Sequence, residues 1–92
     1  MIVIKEKKDF LPDKKIKKSP TNQLILYNDD INTFDFVIES LIEVCGHDPV
    51  TAEQCTMIVH YKGKCDVKSG SQEILLPLRN ELDSRGLIAV IE

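Results

Sequence analysis

Leu24-Ile25-Leu26-Tyr27-Asn28-Asp29-Asp30 is an apolar run that stops on three short polar side chains. The run alternates Leu24 and Leu26 with Ile25 and Tyr27, the period-2 pattern of a strand over about 22–27. Asn and Asp at a strand end bond their own backbone and form turns. They also gather carboxylate and carboxamide oxygens into a compact acceptor surface for a cation. The residues alone leave both readings open, an Asx-type turn with solvated acids or a cation-binding corner. A helix starts directly afterwards, so this corner joins the first two elements.

Downstream, Asn32 reads as the helix N-cap, with Asp35 favourable beside the positive helix end. Phe34, Val37, Ile38, Leu41 and Cys45 keep the i, i+3, i+4 spacing of an amphipathic helix, and Gly46 ends it. Asp48-Pro49 restarts the chain as a cap followed by proline at the first helical position. This second helix runs to about Tyr61, with Ala52, Cys55, Thr56, Val59 and His60 on one stripe, and Gly63 closes it. Lys64 to Lys68 alternates as a half-buried strand. Ser69 with Gln72 resembles a capping box for a third helix that reaches about Arg85, with Pro77 expected to kink it or delay its start. Gly86 terminates that helix, and Leu87 to Ile91 is a last strand. The order β-α-α-β-α-β predicts an α+β sandwich, with three helices packed on one face of a three-stranded, mainly antiparallel sheet.

Ninety-two residues make one domain with a small core. Of the net charge of −3, residues 1–20 hold +4 (seven lysines against Glu6, Asp9 and Asp13), leaving −7 on the rest. The expected organisation is a flexible basic arm over 1–20 and a core domain over 21–92. An acidic domain is a poor nucleic-acid platform, and no apolar stretch reaches membrane-spanning length. Cys45, Cys55 and Cys65 are odd in number and lack a CxxC pair, which disfavours a disulfide framework or a zinc site and places them inward as small fillers. A cytoplasmic setting is the expectation.

No nucleophile elbow or glycine-rich phosphate loop is present in the sequence. Asp29, Asp30 and His60 as a metal site for hydrolysis would lack a fourth ligand and any ligand spacing. His47, in the turn between the helices, reads as a solvated loop residue. His60 lies on the inward stripe near the end of the second helix, where spacing alone favours a satisfied core imidazole.

Asn28-Asp29-Asp30 after a strand, Phe36-Val37 and Leu41 on the first helix, and Val59-His60-Tyr61-Lys62-Gly63-Lys64-Cys65 resemble the ClpS adaptor family over about 22–91. The resemblance implies a fold like the C-terminal domain of the ribosomal stalk protein, with no catalysis, cofactor or metal. It implies binding of the N-terminal residue of N-degron substrates, with Leu, Phe, Tyr or Trp first. Delivery would be to a Clp AAA+ unfoldase of the ClpA or ClpC type, with no nucleic acid or membrane involved. Asn28, Asp29, Asp30 and His60 would hold the substrate α-amino group. Asn32, Phe34, Val37, Leu41, Thr56, Val59 and Leu87 would line a pocket for a large hydrophobic side chain. This chain departs from the family pattern at Phe34, which replaces a methionine that guards the pocket against β-branched residues, and at Thr56, which replaces a second pocket methionine. The competing reading is a plain interaction domain of the same fold without such a pocket.

Overall fold

In the computed structural model, which describes residues 21–92, three strands and three helices alternate as β1 (Asn22–Tyr27), α1 (Phe34–Cys45), α2 (Pro49–Lys62), β2 (Lys64–Gly70), α3 (Gln72–Ser84) and β3 (Ile88–Ile91). The element order and the α+β class are those read from the sequence. The arm over 1–20 lies outside the described residues.

The sheet order is β2-β1-β3, and both pairings are antiparallel. Leu24 and Leu26 of the central strand face the helices and are fully buried, with Ala89 of β3 and Val67 of β2 beside them in the same core. Val37, Leu41 and Cys45 of α1, Ala52 and Val59 of α2, and Leu75 and Leu82 of α3 close the core from above. Ile25 is also buried, but outside this cluster, on the opposite face between its cross-strand neighbours Asp66 and Val90.

Each helix is punctuated by residues that satisfy its free backbone ends. Asp48 accepts from Thr51 N at 2.8 Å ahead of Pro49, and α2 closes on Gly63 with φ at +93°. That left-handed geometry carries no penalty for glycine. Two caps differ from the sequence reading. Thr33, not Asn32, caps α1, accepting from Phe36 N at 3.1 Å, because the Asn32 side chain is engaged elsewhere. Ser71, not Ser69, caps α3, accepting from Ile74 N at 3.3 Å. Ser69 belongs to β2, which continues to Gly70, and its hydroxyl donates to Gln23 Oε1 across the sheet at 2.7 Å. The third helix starts at Gln72 and runs through Pro77, so proline does not delay it. The carbonyl that proline leaves unpaired belongs to Glu73, an exposed residue, which keeps the cost low.

The β1–β2 register slips by one residue between Leu24 (opposite Lys68) and Ile25 (opposite Asp66), which leaves Val67 without a cross-strand partner. A bulge of this kind re-aims backbone groups. The Val67 carbonyl lies 2.6 Å from Nε2 of His47, and that nitrogen donates to it. His47 is therefore half-buried and ties the α1–α2 turn to β2, which corrects its reading as a solvated loop residue.

The three cysteines point towards the core to different degrees: Cys45 is buried, while Cys55 and Cys65 are half-buried. Burial pushes the Cys45 thiol up to about 11, against the pull of the Lys68 charge. Burial first, then the neighbouring Cys55, pushes Cys65 up to about 12. Both stay protonated at neutral pH and are poor nucleophiles. No helix among the described residues is long and apolar enough to cross a membrane.

Candidate functional site

β1 leaves the sheet at Tyr27, and the next residue fixes the direction of the chain. Asn28 N–H donates to the carbonyl of Gly63 at 2.9 Å, which holds the end of β1 against the end of α2. His60 sits one turn before that glycine, so this single backbone bond brings the Asn28-Asp29-Asp30 corner and the imidazole to one side of the molecule. Both line one cavity of about 380 Å³.

The two adjacent carboxylates do different work. Asp29 Oδ1 accepts from the backbone N–H groups of Ile31 and Asn32, each at 2.8 Å, and Oδ2 accepts from the Asn32 carboxamide at 3.1 Å. This is the Asx turn anticipated for such residues. Partial burial pushes the Asp29 carboxyl up, but the hydrogen bonds from Asn32 and Ile31 outweigh it and hold the group below its usual value. With the folded pKa depressed, the turn's contribution to stability is fully present above about pH 4 and is lost as pH falls through the lowered value. Asp30 is exposed, and its carboxylate accepts no hydrogen bond from the described residues. The corner therefore contains one carboxylate that builds the turn and one that has no hydrogen-bond donor among the described residues.

Asn32 extends the turn across the molecule. Its second Nδ2 hydrogen goes to the carbonyl of Gly86 at 2.9 Å, which draws the α3–β3 turn to the cavity and sets Leu87 in its wall. From α1 come Phe34 and Val37, and from α2 come Thr56, Val59 and His60. Phe34 stands at the mouth, 39% exposed, with its ring edge-on to His60 at 6.0 Å between centroids. His60 packs edge-on against Tyr61 at 4.9 Å and is itself exposed, so it is not a core imidazole.

Of the residues proposed from the sequence, Asn28, Asp29, Asp30, Asn32, Phe34, Val37, Thr56, Val59, His60 and Leu87 line the cavity. Leu41 does not line it: one helical turn beyond Val37 it is fully buried in the core. Leu26 and Tyr27 line the cavity and were not anticipated. Leu26 was discoverable, being the last inward-facing residue of a strand that ends at the acidic corner. Among the described residues no group of three or more His, Cys, Asp or Glu side chains stands ready to hold a metal ion, so the hydrolytic reading of Asp29, Asp30 and His60 has no geometric support.

The chemistry available is therefore that of a binding site with two unlike ends. One end is rich in acceptors and carries negative charge. The other is an apolar hollow between α1 and α2.

Comparison with known proteins gives a consistent result. The family model described as "ATP-dependent Clp protease adaptor protein ClpS" matches residues 17–87. An ATP-dependent Clp protease adapter protein ClpS of Clostridium acetobutylicum is 45% identical over 49 residues, covering 53% of this chain and 48% of the relative. Its counterpart in Campylobacter jejuni is 33% identical over 70 residues, covering 76% of this chain and 73% of the relative. The matched part thus spans about half the length of the Clostridium relative and of a Myxococcus xanthus relative, at 48% and 49%. Among solved structures, Agrobacterium tumefaciens ClpS2 bound to L-phenylalaninamide superposes with a TM-score of 0.68 at 22% identity, covering 78% of this chain and 94% of that one, which speaks to the fold. With a family model matched over most of the domain and the Campylobacter relative aligned over roughly three-quarters of both chains, this chain belongs to the ClpS family.

Proposed function

We propose that this chain is a non-catalytic adaptor that captures the free N-terminal residue of substrate proteins and passes them to a Clp AAA+ unfoldase of the ClpA or ClpC type in the cytoplasm. The observation that carries this reading is the union, in one cavity, of an acidic acceptor corner and an apolar hollow. A protein N-terminus has the complementary pair of features, a cationic amine and a side chain on the adjacent carbon. L-Phenylalaninamide, bound by the Agrobacterium relative, has the same two features.

In this reading Asn28 Oδ1 and Asp30 accept from the ammonium, whose pKa of about 7.7–8.0 keeps it largely charged at neutral pH. Asp29 holds the turn and adds negative potential, and His60 accepts through one ring nitrogen. The first side chain enters the hollow between Val37, Val59 and Leu87. Burying a Leu or Phe contributes about 1.5–3 kcal/mol, and each charge-assisted hydrogen bond about 1.5–3 kcal/mol. Association costs of at least several kcal/mol leave roughly micromolar affinity, which suits a carrier that must release its load. Fluorescent peptides beginning with Leu, Phe, Tyr or Trp should bind saturably and glycine-led controls should not; equal binding of the controls would refute the reading. For delivery, a reporter with N-terminal Phe should be degraded by a ClpA- or ClpC-type unfoldase with its protease only when this chain is added. Removing residues 1–20 should stop delivery without weakening peptide binding.

Phe34 guards the mouth. Its rigid ring leaves less room beside the α-carbon than a flexible side chain does, so residues branched at Cβ are kept out. Phe34→Ala should bring peptides beginning with Ile or Val to within about tenfold of the Leu peptide, the scale expected for one or two methylenes in an apolar pocket. Competition binding measures this, and an unchanged exclusion of Ile and Val would remove Phe34 from that role.

A further inference from the structure

The polar groups on the cavity wall differ in which hydrogens they have left to give. Tyr27 donates its hydroxyl to Glu92. Asn32 spends both Nδ2 hydrogens, one on Asp29 Oδ2 and one on the Gly86 carbonyl. Thr56 gives its hydroxyl hydrogen to the Ala52 carbonyl at 2.8 Å. The carboxylates only accept. Away from the acidic corner the wall is made by Leu26, Phe34, Val37, Val59 and Leu87, none of which carries a polar side-chain atom. Thr56 stands among them, 3% exposed, one helical turn before His60 on the same face of α2. Its Oγ1 has an open lone pair and no hydrogen to offer, so its only remaining capacity is to accept.

We propose that the hollow selects a first residue whose side chain bears a hydrogen-bond donor at its far end, N-terminal Tyr or Trp over Phe and Leu, with Thr56 Oγ1 as the acceptor. This rests on the N-terminal-residue reading above and adds the class of side chain. The sign of one comparison distinguishes it from an apolar pocket. Tyr and Phe differ by a single hydroxyl. A wholly apolar wall penalises Tyr, because its hydroxyl loses water and finds no partner. A wall with a ready acceptor reverses that order, since the buried hydroxyl is paired.

The test uses the full chain and peptides that differ only in the first residue: Tyr, Phe, 4-fluorophenylalanine and Trp. By fluorescence anisotropy the Tyr peptide should bind about two- to tenfold tighter than the Phe peptide. The 4-fluorophenylalanine peptide, with similar bulk and no donor, should follow Phe. Thr56→Val keeps the shape and removes the oxygen, and should bring the Tyr-to-Phe ratio to one or below. Thr56→Ser keeps the oxygen and should keep the ratio. If T56V does not fold, Thr56→Ala carries the same prediction. Phe binding as tightly as Tyr to the unaltered chain overturns the proposal and leaves the N-terminal-residue reading standing, as does an unchanged ratio in the variant that lacks the oxygen. Failure of every free-amine peptide to bind overturns both.

Discussion

Asp30→Ala should lower the affinity for a peptide with a free hydrophobic N-terminus by about ten- to a hundredfold, the weight of one charge-assisted hydrogen bond. Its stability should stay within about 0.5 kcal/mol of the parent, as for a surface change with no partner among the described residues. The two neighbouring carboxylates are used differently. Asp30 is exposed and accepts nothing from the described residues. Asp29 accepts two backbone N–H groups and the Asn32 carboxamide. Asp29→Ala should therefore cost about 1–3 kcal/mol of stability, because donors in a partly buried turn lose their acceptor. Anisotropy and thermal melts on both variants separate the roles. If D30A binds as well as the parent, Asp30 is not the ammonium's acceptor.

Leu41→Ala should destabilise the domain by about 2–5 kcal/mol, the range for emptying a fully buried leucine site. Against a total of about 5–15 kcal/mol for a domain, that is a large fraction. Leu41 is wholly buried among the core residues of α1, and it is absent from the cavity wall. The protein that remains folded should keep the parent's preference among first residues. Urea melts and competition binding test both halves. A changed preference with unchanged stability would return Leu41 to the pocket, where the family resemblance placed it.

That exchange shows what the sequence could and could not reveal. Spacing assigns Val37 and Leu41 to one stripe of α1, but the point at which the stripe passes from cavity wall to core depends on how α2 crosses it. The element order was legible because glycines and the Asp48-Pro49 pair mark the helix ends, and Gly46, Gly63 and Gly86 do take positive φ. Cap positions were less legible. Asn32 and Thr33 are adjacent cap-formers, and only the Gly86 carbonyl, 54 residues away in sequence, decides that Asn32 is used elsewhere. Ser69 and Ser71 pose the same ambiguity, which is resolved by Ser69 bonding Gln23 across the sheet. The bulge at Val67 has no mark in the sequence, and so neither had the use of His47. Asp29 and Asp30 are chemically identical until the turn is built, when one is spent and the other has no donor among the described residues.

The site brings an acidic corner and an apolar hollow together, and capture of an N-terminal residue requires that both be occupied by one chain terminus. Binding of a Phe-led peptide should therefore be compared with its N-acetylated form, which removes the charge and leaves a single N–H while keeping the side chain. The free peptide should bind with roughly micromolar affinity, and acetylation should weaken it at least a hundredfold, the sum of about two charge-assisted hydrogen bonds. Equal binding of the two forms would contradict it.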